Sequence, residues 1–186
     1  MESSKMSKKE KSRHKIMHAA KGLFERDGIE NVTFTQIAEE ADVCRTTVFN
    51  HFAGTRELML AISRQEIEDI KQYCSLHNMK GKTLVYGLYD KLIDDTVCYP
   101  VLTGKLINNA IINHQDDNPV KIIEEMTEEG LRTAGTERAE ELAVLIEGAY
   151  FGLTNHYHIN DKTFDGTIMK EEFHKLLDYI LSREEI

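Results

Sequence analysis

Only two prolines, Pro100 and Pro119, interrupt 186 residues, and the stretches between them carry apolar side chains at helical spacing with few turn dipeptides. Such a chain reads as helices joined by short loops, and no β-hairpin signal or internal repeat competes with that reading. The expected fold is all-α, with about nine helices. An apolar share of 41% is enough for an ordinary core and excludes a wholly disordered or collagen-like chain. The length suits one domain, or a small module joined to a larger one. No apolar run approaches the roughly 18 residues of a membrane span, and the start, MESSKMSKKEKSRHK, is not that of a signal peptide. The expected location is therefore the cytoplasm, with no membrane partner. Cys44, Cys74 and Cys98 form no CxxC pair, which points to neither a disulfide framework nor a zinc site.

The first expected helix, 11–27, carries Ile16, Ala19, Ala20, Leu23 and Phe24 on one side and ends at Gly28. Thr33 then offers an N-cap, Gln36 closes a capping box, and Val32 with Ile37 makes a hydrophobic staple, so a short helix runs to about residue 41. Asp42, Val43 and Cys44 separate it from a second short helix, 45–52, anchored by Val48 and Phe52. Further helices are expected over 55–77, from Thr83 to 97, over 100–114, from 119 (with Asn118 as cap) to 132, and over 136–157. The last is expected to be capped by Thr167 and shows Ile168, Phe173, Leu176, Leu177, Ile180 and Leu181 on one face.

Two short helices with a tight turn suggest a helix-turn-helix, in which the second helix enters a DNA groove and the first braces it. Ala38 is small enough for the close crossing, and Asp42 tolerates a left-handed turn. The polar side of the second helix is Arg45, Thr46, Thr47, Phe49, Asn50 and His51, a set rich in donors and without an acid. Charge is distributed to match. The net charge of the chain is −9, yet residues 1–26 hold eight Lys or Arg against three Glu, while residues 61–186 hold 13 basic and 23 acidic side chains. A basic end on an acidic body is what one small phosphate-facing module would give. A solvated basic tail would give the same count.

Residues 13 to 58 read R-x-x-I-x-x-A-A-x-x-L-F-x-x-x-G, then T-x-x-x-I-A-x-x-A-x-V-x-x-x-T-V-F-x-H-F, then E-L. This pattern resembles the N-terminal module of the TetR family of transcriptional repressors. The resemblance implies a DNA-binding domain over 9–69 and an effector-binding and dimerisation domain over 70–186. It also implies a homodimer that binds a palindromic double-stranded DNA operator until a small-molecule effector releases it, with no cofactor. DNA contacts are then expected from Thr33, Thr35, Gln36, Arg45, Thr46, Thr47, Phe49, Asn50, His51 and Arg56, with Arg45 as the base reader. Asp42, Cys44, Thr46, Phe49 and Thr55 depart from the family's usual Gly, Ser, Gly, Tyr and basic residue, so which bases are read does not carry over.

The last two helices would pair with their mates in a four-helix bundle. The helix before the terminal one is apolar on more than one face, and the expected interface is Leu142, Ile146, Ala149, Tyr150, Leu153, Phe173 and Leu177, with Gly148 and Gly152 allowing close approach. Effector contacts are expected from Tyr73, Tyr86, Tyr89, Glu147, Phe151 and Asn155, and Tyr99 is a further aromatic candidate. Glu147, Phe151 and Asn155 recur at i, i+4, i+8. If Glu147 faces the interior it needs a cationic or hydrogen-bonding partner, and otherwise it sits at the solvent edge of an apolar helix. His156 and His158 point to different sides, so no metal site is expected, and Glu124, Glu125, Glu128 and Glu129 read as a solvated face. The rival reading is an all-α small-molecule binder or enzyme whose N-terminal corner is only structural. No Ser/His/Asp order or phosphate loop supports an enzyme.

Overall fold

The computed structural model describes residues 6–112 and 118–182, which form nine α-helices and one 3-10 turn, with no strand among the described residues. The helices are α1 (Lys8–Asp27), α2 (Phe34–Glu40), α3 (Arg45–His51), α4 (Thr55–Leu76), α5 (Lys82–Cys98), α6 (Pro100–Ile112), α7 (Pro119–Thr133), α8 (Ala139–Ile159) and α9 (Gly166–Leu181). The expected end of α6 at His114, and Asp116 and Asp117, lie outside the described residues, as do Glu2 and Lys5 of the basic end.

Two cores organise the chain. In the first, α1, α2, α3 and the start of α4 enclose Ile16, Phe24, Ile37, Val48, Phe52 and Leu58, and Leu102 of α6 completes it from outside the N-terminal segment. The second gathers the far half of α4 with α5, α7, α8 and α9 around Tyr89, Tyr157 and Phe173. α5 and α7 approach closely at Gly130, where a Cβ would meet Val85 at 2.9 Å and the Gly81 carbonyl at 3.2 Å.

Several helix starts differ from the sequence expectation, and local bonds or turns set them. α1 begins three residues early because Ser7 and Glu10 form a capping box, with the Ser7 hydroxyl accepting from the Glu10 amide at 3.2 Å and the Glu10 carboxylate accepting from the Ser7 amide at 2.7 Å. α9 is capped by Asp165, whose Oδ1 accepts from the Ile168 amide at 3.0 Å, rather than by Thr167. α8 begins at Ala139 instead of 136, because Gly135 at φ 89° turns the chain and buries Thr136 first.

The expected bundle face is turned inward. Leu142, Ile146, Tyr150, Leu153, Phe173 and Leu177 are buried inside this protomer, and Ala149 is half-buried. The apolar residues that α8 and α9 leave exposed are Val144, Leu145, Ile159, Ile168, Leu176 and Tyr179. On α8 they share a side with Gly148 and Gly152, where an added Cβ would meet open space. A helix apolar on several faces does not say which one its own protomer takes; packing against α7 and α9 decides it. Ile168 and Leu176 likewise do not share the buried face of α9, which is Met169, Phe173, Leu177 and Leu181.

Candidate nucleic-acid interface and ligand cavity

The corner expected at residues 33–52 forms through short-range bonds. Thr33 and Gln36 close their capping box, with the Gln36 side-chain Oε1 accepting from the Thr33 amide at 2.8 Å. After α2, Asp42 takes φ 51°, and the Val43 amide donates to the Ala38 carbonyl at 3.0 Å, which folds the chain back toward α3. Asp tolerates that left-handed conformation far better than a β-branched residue does. Cys44 stands at the N-cap of α3 without a side-chain cap bond, as expected where a thiol replaces a hydroxyl.

α3 is held from below and bare above. Val48 and Phe52 are fully buried, while Arg45, Thr46, Phe49 and Asn50 are exposed and Thr47 is half-buried. The Phe49 ring lies 5.1 Å from Phe34, and the Arg45 guanidinium stands over Phe49 at 5.4 Å. Arg45 is thereby pre-positioned on a small aromatic platform. Thr33, Thr35, Gln36 and Arg56 are also exposed, around the same corner. His51 is different. Its Nε2 is 2.7 Å from the Ser12 hydroxyl, and Arg13 reaches its backbone carbonyl at 3.4 Å while covering the Phe52 ring at 4.5 Å. Burial and the charges of Arg13 and Lys9 lower its pKa, so it is a neutral tie between α3 and α1. Ser12, Arg13 and Phe34 were not singled out in the sequence; for Arg13 the spacing signal was present in the quoted pattern.

A cavity opens between the two cores. Its walls come from α4, α5, α6, α7 and α8, and α1 adds Lys21. Of the expected effector residues, Glu147 and Phe151 line it, as does Tyr99. The others do not. Tyr73 packs on His77 at 4.5 Å, Tyr86 bonds Asp178 of α9, and Tyr89 is stacked in the second core 4.9 Å from Phe173. Asn155 is exposed on the outer side of α8. Each four-residue step advances a helix about 40° past a full turn, so two steps rotate Asn155 about 80° away from Glu147.

Glu147 is not at the solvent edge, since its Oε1 is buried and has no hydrogen-bond partner. Burial, with the nearby charge of Glu124, pushes its pKa up to about 7. Asp95, absent from the expected set, also lines the cavity with a buried, unpartnered Oδ2, and burial raises its pKa although Lys91 holds the other oxygen. Lys21 donates to Glu66 at 2.6 Å and stands over the Tyr99 ring at 4.5 Å. Burial lowers its pKa, but the bond and charge of Glu66 outweigh that and leave it raised. Beside it, the Glu25 carboxylate of α1 accepts from the Val101 and Leu102 amides at 3.2 and 2.8 Å, capping α6, and Lys105 of α6 donates to Glu30 at 2.9 Å. One wall of the cavity is thus tied directly to α1, the first helix of the N-terminal core.

Residues 16–62 match the model of the bacterial regulatory proteins of the tetR family. Among solved structures, a transcriptional regulator from Aquifex aeolicus VF5 is 18% identical and superposes with a TM-score of 0.71 over 91% of this chain and 99% of its own. SmeT, the repressor of the Stenotrophomonas maltophilia multidrug efflux pump SmeDEF, is 19% identical, with a TM-score of 0.67 over 92% of this chain and 89% of its own. The multidrug binding protein EbrR, solved with malachite green, is 19% identical, with a TM-score of 0.57 over 88% of this chain and 96% of its own. No curated protein sequence matches. Residues 16–62 thus carry the signature of the bacterial regulatory proteins of the tetR family, and the chain as a whole shares the fold of these regulators.

Proposed function

We propose that the protein is a homodimeric transcriptional repressor of the cytoplasm, released from a palindromic double-stranded DNA operator by a small-molecule effector held in the α4–α8 cavity. The observation that carries this reading is that cavity wall and DNA module share parts: Lys21 of α1 lines the cavity, and Glu25 of the same helix caps α6. An effector that displaces α4 or α6 pulls on α1, to which α3 is tied through Ser12 and Arg13. In a dimer that movement changes the separation of the two α3 helices, and operator affinity with it. No catalytic residue is required.

Arg45 is the base reader in this account. Thr46, Phe49 and Asn50 share the groove-facing side, while Thr33, Thr35, Gln36, Thr47 and Arg56 position the phosphates around them. The dimer surface is assigned to the exposed stripe of α8 and α9 in place of the buried residues expected from sequence, with Gly148 and Gly152 at the closest approach.

Contacts with phosphate release condensed counterions, so affinity for duplex DNA falls linearly on a log–log plot of salt, by about 0.9 per phosphate neutralised. Fluorescence anisotropy with a labelled random-sequence duplex, titrated from low to moderate salt, measures that slope. Binding that is absent at low salt, or indifferent to salt, would contradict the reading.

A further inference from the structure

The charges around the cavity do not balance. Among the described residues, its walls contain one cation, Lys21, and three carboxylates, Glu66, Asp95 and Glu147. Lys21 is committed to Glu66 at 2.6 Å, and Lys91 reaches only one oxygen of Asp95. Glu147 Oε1 and Asp95 Oδ2 are left buried without a partner, in walls otherwise built from side chains such as Ile67, Leu106 and Ile123. Burying a carboxylate oxygen without a partner is costly, and it persists only where something offsets it. Tyr99, Tyr150 and Phe151 add aromatic surface to the same space, and the Lys21 ammonium already stands over the Tyr99 ring. Carboxylates beside aromatic faces are suited to one kind of ligand, a cation too weakly hydrated to prefer water.

Resting on the effector reading above, we propose that the cavity takes an organic monocation with an aromatic or alkyl body, its charge placed between Glu147 and Asp95. An anion would meet uncompensated negative charge there. A neutral apolar molecule would fill the walls but leave both oxygens unsatisfied. Burial and Glu124 hold the Glu147 carboxyl near neutrality, so a bound cation also offsets the cost of keeping it ionised.

The test uses the full chain and three probes of one shape: benzyltrimethylammonium, its uncharged carbon isostere neopentylbenzene, and the anion phenylmethanesulfonate. Binding is followed by ligand-observed NMR. The ammonium is expected to bind about tenfold or more tightly than either analogue, and Glu147→Gln and Asp95→Asn each to lose about tenfold of that affinity. Glu147→Gln removes a buried carboxylate that has no cationic partner, and Asp95→Asn keeps an amide oxygen able to accept from Lys91, both at nearly constant volume, so the fold should tolerate them. Equal affinity for the ammonium and its carbon isostere, or cation binding unchanged in both variants, would overturn the proposal. DNA binding by the same preparations is a separate readout: loss of salt-dependent DNA affinity with the cation preference intact would defeat the regulator reading and leave the cation site standing.

Discussion

Glutamate introduced at Leu145 and Tyr179 together (Leu145→Glu, Tyr179→Glu) is expected to give a folded monomer whose operator affinity is roughly 10² to 10⁴-fold below that of the parent, because two tethered half-site contacts become one. Leu145 is 54% exposed and Tyr179 61% exposed in the protomer, so neither charge enters its core. In a dimer joined along α8 and α9 both would be desolvated against like charges of the mate. Sedimentation and circular dichroism give the two readings that matter, mass and helix content. Phe173→Glu is the contrasting variant. That ring is fully buried against Tyr89 and Tyr150, and a charge there should unfold the protomer rather than separate two intact ones. A double variant that remains dimeric at micromolar protein would move the interface elsewhere.

Arg45→Ala is expected to cost about 1–3 kcal/mol of operator binding and to relax preference at one base pair of each half-site. The side chain is exposed at the first turn of α3, with its guanidinium over Phe49 and Phe49 against Phe34. That support limits the rotamers Arg45 must give up on binding, so truncation removes an already oriented fork of donors. Comparing the sequences enriched by parent and variant from a random duplex pool separates base reading from phosphate contact. A variant with weaker binding but the same preference profile would make Arg45 a phosphate contact.

The helical fold and the reading corner were legible because their signals are local. Thr33 and Gln36 sit three residues apart and cap each other, and Asp42 stands alone between two short apolar patterns and takes the left-handed turn. The cavity was legible only in part. Glu147 stood out as a carboxylate in an apolar helix, whereas Asp95 sits on a helix whose neighbours include other acids, and Lys21 looks like one more residue of a basic first helix. Their roles come from contacts between elements far apart in sequence, such as the 45 residues separating Lys21 from Glu66. The residues expected at the bundle face are buried within the protomer for a related reason: in α8, periodicity identifies several apolar stripes, and only the packing of α7 and α9 shows which stripe remains outside.

In the proposed function, two copies of α3 related by two-fold symmetry read DNA. Sequence selection from a random duplex pool by the purified full chain at moderate salt tests it most directly. The predicted result is an enriched motif of two inverted half-sites with centres about one helical turn, roughly 34 Å, apart. A pool that shows no enrichment, or a motif without inverted symmetry, would contradict it.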